Sequence, residues 1–168
     1  MTSGVKCTDQ VTSVYSAMQL TKTDDDPSER PRIVQFNITN GYIDVTKIYR
    51  QKEIEGKEDV HKFFGSLFDE EKCCYFLYDC LYETKDTQKK DLVFIMWTPE
   101  NSKVSDKMQY SSSKQSITKV MKAVKHMFEM QQLSDVRDKE DFADRLGREV
   151  IKVEGHALKK CGAFAKGK

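Results

Sequence analysis

Two segments, Cys73 to Tyr82 (CCYFLYDCLY) and Leu92 to Trp97 (LVFIMW), are almost unbroken runs of apolar and aromatic residues. A strand with one wet face alternates apolar and polar side chains, whereas a run without alternation suits a strand covered on both faces. The chain must therefore supply helices to either side of a sheet. The charged link between the runs, ETKDTQKKD, is long for a tight hairpin and is expected to project from the body. Pro99 stops the second run.

The rest of the chain divides around that pair. Thr8 or Asp9 caps a helix over 8–20, with Val11, Val14, Tyr15 and Met18 at helical spacing. The polar segment TKTDDDPSERP (21–31) is a loop. Ile33, Phe36 and Ile38, then Tyr42, Ile43 and Val45, read as two strands turning at Asn40-Gly41. Val60, Phe63, Phe64, Leu67 and Phe68 mark an amphipathic helix. A long helix is expected from about Ser112, where Ser112 and Gln115 fit a capping box. Phe142, Ala143 and Leu146 form a short helix ended by Gly147, and Val150, Ile151 and Val153 a last edge strand. The sum is an α+β (mixed α/β) single domain, a central mixed β-sheet of about five to six strands sandwiched by helices. Residues 1–155 make up that domain, and 156–168 (HALKKCGAFAKGK) a basic tail expected to fray.

Composition bounds the function. The 168 residues, 38% hydrophobic and 33% charged, suffice for one folded core. A net charge of +1 leaves recognition to local clusters. The five cysteines include an adjacent pair and no CxxC spacing, which speaks against disulfides or a zinc site and for free thiols in a reducing compartment. The start has no apolar leader core, and no stretch of about 18 apolar residues occurs. A cytoplasmic chain is expected. None of the three histidines lies in a metal-ligand pattern, and no nucleophile or phosphate-loop motif is present. Asp79, inside an apolar run, reads as a structurally satisfied carboxylate. The chain is a binding module rather than an enzyme, with no metal or cofactor.

Its informative stretch is 103–126, which holds Lys103, Lys107, Lys114, Lys119, Lys122 and Lys125 against the single acid Asp106. Wound as a helix, it places Ile117, Val120, Met121, Val124, Met127 and Phe128 on one stripe, and Lys119, Lys122, Lys125 and His126 on another. Lysines on an outer face normally only keep a helix in water. Lys114 in a first turn, with Lys107 just before it, opposes the macrodipole and makes sense beside an anionic partner. An acidic protein surface or a phosphoinositide head group fits. Nucleic acid fits poorly, because the aromatics sit in strands and apolar faces and the domain lacks a wide basic footprint.

The segment YDCLYETKDTQKKDLVFIMWTPE (78–100), followed by KMQYSSSK (107–114) and KAVKH (122–126), resembles the actin-depolymerising factor/cofilin family, nearest to its vertebrate type. MTSGV at the start and RLGREVIKVEG (145–155) are similar to that family's two ends. The resemblance implies the ADF-homology fold and binding of actin monomers and filaments, with severing and depolymerisation. It implies actin contacts by Ser3, Gly4, Lys107, Met108, Ser113, Lys114 and Lys119, and contact with a second filament subunit by Lys89 and Asp91. Ser3 matches the serine that a regulatory kinase phosphorylates and a phosphatase restores. Lys119, Lys122, Lys125 and His126 match a phosphoinositide site overlapping the actin site, and His126 with Asp91 a pH-sensing pair. The implied place of work is the cytoskeleton, as a monomer. Ser105, Thr118 and Val120 replace lysines of the family pattern, and ERPRI (29–33) lacks its basic nuclear-import run. Two other readings share the fold: a phosphoinositide-responsive adaptor, and a filament side-binder without severing activity.

Overall fold

The computed structural model describes residues 5–19, 27–122, 124–147 and 149–158. In chain order they form β1 (Lys6–Cys7), α1 (Asp9–Gln19), a 3₁₀ turn, β2 (Pro31–Thr39), β3 (Tyr42–Arg50), α2 (Gln51–Ile54) and α3 (Val60–Ser66). There follow β4 (Cys74–Thr84), β5 (Gln88–Trp97), α4 (Val104–Thr118), β6 (His126–Met130), α5 (Leu133–Arg137), α6 (Lys139–Leu146), β7 (Val150–Val153) and β8 (His156–Ala157). The strands lie in the order β1-β3-β2-β4-β5-β6, with β7 on β4 and β8 on β7. The β1–β3 and β5–β6 pairs are parallel and the others antiparallel, so the sheet is mixed. The eight strands among the described residues exceed the expected five to six, partly because two of them are two-residue pairings.

The two apolar runs are β4 and β5, joined by ten register pairs from Cys74↔Trp97 to Glu83↔Gln88. Phe76, Tyr78, Val93 and Ile95 face a core shared with Phe64 of α3, Val136 of α5 and Phe142 of α6. Tyr75, Leu77, Phe94 and Met96 face a second core shared with Val11, Val14 and Met18 of α1 and Tyr110 and Ile117 of α4. Phe64 stacks on Tyr78 at 4.3 Å, and Phe68 on Phe76 at 4.5 Å. That double covering is what removed the alternation from the sequence.

Along its other edge β4 changes partner. β2 pairs with it from Tyr75 to Tyr78, and β7 from Tyr82 to Thr84. Between them the backbone groups of Asp79 and Leu81 would be buried and unmatched, which is costly. Arg32 Nε donates to the Asp79 carbonyl at 3.0 Å, and the Glu154 N–H to the Leu81 carbonyl at 2.7 Å. The Leu81 N–H in turn donates to Glu154 Oε1 at 3.2 Å. That carboxylate also accepts from Arg32 Nη2 at 2.6 Å and the Tyr78 hydroxyl at 2.7 Å. Glu154 has φ 51° and Gly155 φ 82°, a tight turn between β7 and β8. The Arg32 and Glu154 side chains are only 5% and 4% exposed. Burial pushes the Asp79 carboxyl above its ordinary value, although Arg30 Nη2 lies 3.1 Å away.

Three expectations change. The long helix starts at Val104 and ends at Thr118, and Ser112 lies inside it, its hydroxyl donating to the Gln109 carbonyl at 3.1 Å. After Thr118 the chain turns and enters β6, because pairing with β5 satisfies a buried backbone while Met130 enters the core. The link 83–91 is mostly ladder, with Lys85–Thr87 closing the β4–β5 hairpin. The tail departs later than expected: His156–Ala157 pair as β8, so β7 is flanked on both sides, and buried Leu158 donates its N–H to the Ile151 carbonyl at 2.9 Å.

His61 on α3 is buried against Phe142, ring centroids 4.9 Å apart. Burial, reinforced by Lys139, pushes its imidazole down from 6.5 to about 4, against the pull of Asp59 and Asp138. The unfolded chain therefore binds the extra proton first, so stability should fall as pH drops from 6.5 toward 4, by roughly 3 kcal/mol in all. Denaturant titrations should show that loss in the parent chain and a flatter profile in His61→Leu. Equal pH slopes in the two would exclude His61 as its source.

Candidate binding surface

α4 is laid on the sheet by one face. Tyr110, Ser113 and Ile117 point inward and are buried. The Tyr110 hydroxyl accepts from the Ile38 N–H at 2.9 Å and from Asn37 Nδ2 at 3.3 Å, and the Tyr75 hydroxyl donates to the Tyr110 carbonyl. Just ahead of the helix, Ser102 folds its N–H and hydroxyl onto the Pro99 carbonyl, at 3.0 and 2.5 Å. The opposite face carries Val104 and Met108, one turn apart and 69% and 68% exposed. Apolar side chains that bare stand out on a charged helix.

The lysines around this pair are positioned differently from one another. Lys107, inside the helix, donates to the Glu100 carbonyl at 2.8 Å. Lys114 Nζ lies 3.0 Å from Glu129 Oε1 on β6, so it presents a charge pair rather than a bare cation. Lys114 is eleven positions into α4 rather than in its first turn, so it does not oppose the helix dipole as expected. Lys119 caps the C-terminal end, where a cation suits the dipole. Lys122 and Lys125 are exposed on the turn between α4 and β6, not on a helical stripe. Ser113 is 0% exposed and cannot touch a partner in this arrangement.

A second cluster forms where β5 meets β6. His126 Nε2 is 3.5 Å from Asp91 Oδ2, Lys125 Nζ is 3.8 Å from Asp91 Oδ1, and the Tyr82 hydroxyl donates to Asp91 Oδ2 at 2.5 Å. Burial works to raise the Asp91 carboxyl, but the Tyr82 hydroxyl, Lys125 and His126 outweigh it and hold it below the ordinary carboxylate range. The same burial and hydrogen bond push the Tyr82 phenol up. The expected His126–Asp91 pair is thus brought together, by a strand rather than by a helix face. Lys89 sits two residues before Asp91, exposed toward the hairpin end.

Ser3 and Gly4 lie outside the described residues. The chain just after them is tied to α4: the Ser116 hydroxyl donates to the Val5 carbonyl at 2.9 Å, and the Cys7 thiol to the Ser116 carbonyl at 3.4 Å. Thr8 donates its hydroxyl to Asp44 Oδ1 at 2.7 Å and its N–H to the Ile43 carbonyl at 3.0 Å. Sequence reasoning misses Val104, Tyr82, Glu129 and Ser116. Val104 and Met108 surface as an i, i+4 pair only once the helix start is placed at Val104, whereas the other three show their role only through partners distant in sequence. Among the described residues no group of three His, Cys, Asp or Glu could hold a metal ion, and no helix is long and apolar enough to cross a membrane.

Removing the Tyr82 hydroxyl removes a donor that favours ionised Asp91. In Tyr82→Phe the Asp91 titration, followed through its side-chain carboxyl carbon by NMR, should move upward toward the ordinary range. An unmoved titration would mean the hydroxyl does not act on that carboxylate.

The model of a family described as cofilin/tropomyosin-type actin-binding protein matches residues 4–147. Among solved structures, the chain is similar to Streptomyces griseoflavus cofilin, with 24% identity and a TM-score of 0.69 over 87% of this chain and 99% of that one. Actin depolymerization factor 2 of Plasmodium berghei shares 18% identity at a TM-score of 0.71, over 85% and 97% of the two chains. The ADF-like UNC-60A protein of Caenorhabditis elegans shares 17% at 0.69, over 88% and 96%.

Proposed function

The chain belongs to the cofilin/tropomyosin-type actin-binding family, and we propose that it binds actin monomers and filaments through the outer face of α4 and disassembles filaments by severing and depolymerising them. The observation that carries this reading is the exposed pair Val104 and Met108, flanked by Lys107 and Lys114. Covering two such side chains releases apolar surface from water, while the lysines steer the helix toward an acidic partner. Ser113, being buried, serves in this reading to seat the helix. Lys119 extends the basic side of the contact, and Ser3 and Gly4 add to it from the segment that precedes the Val5–Ser116 tether.

A second contact, through Lys89 and Asp91 near the β4–β5 hairpin end, would reach the neighbouring subunit of a filament. Lys89 is the exposed member, and Asp91 acts through the field it shares with Tyr82, Lys125 and His126. A protein holding two neighbouring subunits in an altered twist favours that twist and strains its junction with bare polymer. Fragmentation then results from differential binding, with no catalytic group required.

Regulation in this reading is electrostatic. Phosphorylation of Ser3 by a kinase brings about two negative charges to a contact made with an acidic surface, and a phosphatase removes them. Lys119, Lys122, Lys125 and His126 would take a phosphoinositide head group in competition with actin. Protonated His126 strengthens the attraction to Asp91 and adds charge beside Lys125, favouring the lipid at lower pH.

The test combines Met108→Ser, at an exposed position, with Lys107→Glu, at a half-buried one. Affinity for monomeric actin should fall by about tenfold or more. Unchanged affinity would remove α4 from the interface. With the parent chain, loss of polymer during pelleting supports disassembly. Co-pelleting without loss points to a side-binder, and binding only to phosphoinositide vesicles to a lipid-responsive adaptor.

A further inference from the structure

The chain has three asparagines, Asn37, Asn40 and Asn101, and the fold treats the peptide nitrogen after each one differently. Cyclisation of an asparagine requires that nitrogen to reach the side-chain carbonyl carbon, so a bulky next residue or an engaged N–H opposes it. After Asn37 comes β-branched Ile38, whose N–H donates to the Tyr110 hydroxyl at 2.9 Å. After Asn101 comes buried Ser102, whose N–H donates to the Pro99 carbonyl at 3.0 Å. After Asn40 comes Gly41, and both are exposed. Their φ values of 51° and 79° make a two-residue type I′ loop, and a Cβ built on Gly41 would meet nothing within 4 Å.

We propose that Asn40 is a site of spontaneous backbone modification, and that its isoaspartyl product unseats β1. The Gly41 nitrogen bonds to Asn40 Cγ, the Cγ–Nδ2 bond breaks, and the nitrogen's proton leaves with that amide as ammonia, giving a five-membered imide. Water adds to one or the other imide carbonyl, giving aspartate or isoaspartate. The sum is an amide plus water going to a carboxylic acid plus ammonia, with no oxidant or reductant involved. Attack requires Asn40 to leave the left-handed region, a change that relieves an L residue and costs only the loop-closing pair Thr39↔Tyr42.

The consequence is local and specific to one product. β1 rests on the two residues after this loop, through the parallel pairs Lys6↔Tyr42 and Cys7↔Ile43. Isoaspartate routes the main chain through an extra methylene and adds a negative charge, so the type I′ geometry and the placing of Tyr42 and Ile43 are lost. Ordinary aspartate keeps the backbone length and tolerates positive φ, so β1 stays docked.

The full chain is held at mildly alkaline pH and mapped by peptide mass spectrometry, with isoaspartyl-specific methylation separating the two products. Amide hydrogen exchange is then read at Cys7 and Thr8. Asn40 should convert while Asn37 and Asn101 persist, and exchange at Thr8, whose N–H bonds the Ile43 carbonyl, should quicken about tenfold or more in the isoaspartyl fraction. Asn40→Asp should exchange like the parent, and Asn40→Gln, which must close a larger ring, should stay unmodified. Conversion of Asn101 ahead of Asn40, or an isoaspartyl fraction with parental exchange at Thr8, overturns the proposal. Neither readout involves actin, so its failure would leave the proposed function standing.

Discussion

Everything in this fold depends on β4 being buried on both faces and paired on both edges. Its side chains divide between two cores, and its outer edge serves β2 and β7 in turn. The break between those two neighbours could not be left open in a dry interior. Arg32 and Glu154 fill it with hydrogen bonds that a third strand would otherwise have made. Charge is buried here because backbone is buried here. The cost of dehydrating two ions is offset by polar groups of β4 that would be unmatched without them.

The proposed binding surface is set by how the second core is roofed. α4 spends Tyr110, Ser113 and Ile117 on the sheet, which leaves Val104 and Met108 facing away from it. The Tyr110 hydroxyl fixes the helix to β2 through main-chain and side-chain donors, so the outward face is held in a set orientation. Val5 and Cys7 meet the same helix at Ser116, so β1 and its approach are tied to α4. The Asp91 cluster belongs to the other side of the sheet, beside Phe128 and Tyr82. The two proposed binding regions are thereby separated by a single layer of strands.

What can be read in the sequence is local or periodic. The NG turn, the apolar runs and the α1 and α3 stripes each express one dominant rule, and each appears in the structure. The failure at 112–128 has a definite cause. Val120, Met121, Val124, Met127 and Phe128 satisfy a helical wheel and also suit a turn leading into a strand, and only the vacant edge of β5 decides between them. Ser113 is buried where the resemblance implies a contact, because resemblance carries position but not burial. Tyr82 and Glu129 matter through partners nine and fifteen residues away, which no spacing rule reports. The family match spans residues 4–147, so the resemblance covers the α4 surface even though periodicity starts that helix too late.

Glu154 adds an ordering in time. Its carboxylate is the counter-ion of Arg32, 122 residues earlier in the chain, and the match for the Leu81 N–H. A ribosome releases the arginine long before the glutamate. Until β7 and β8 emerge, the half-built sheet would hold a guanidinium without its carboxylate partner and an open seam, and it gains little by closing early. The β7–β8 hairpin therefore acts as a latch: the seam beside β4 closes only once Glu154 is in place.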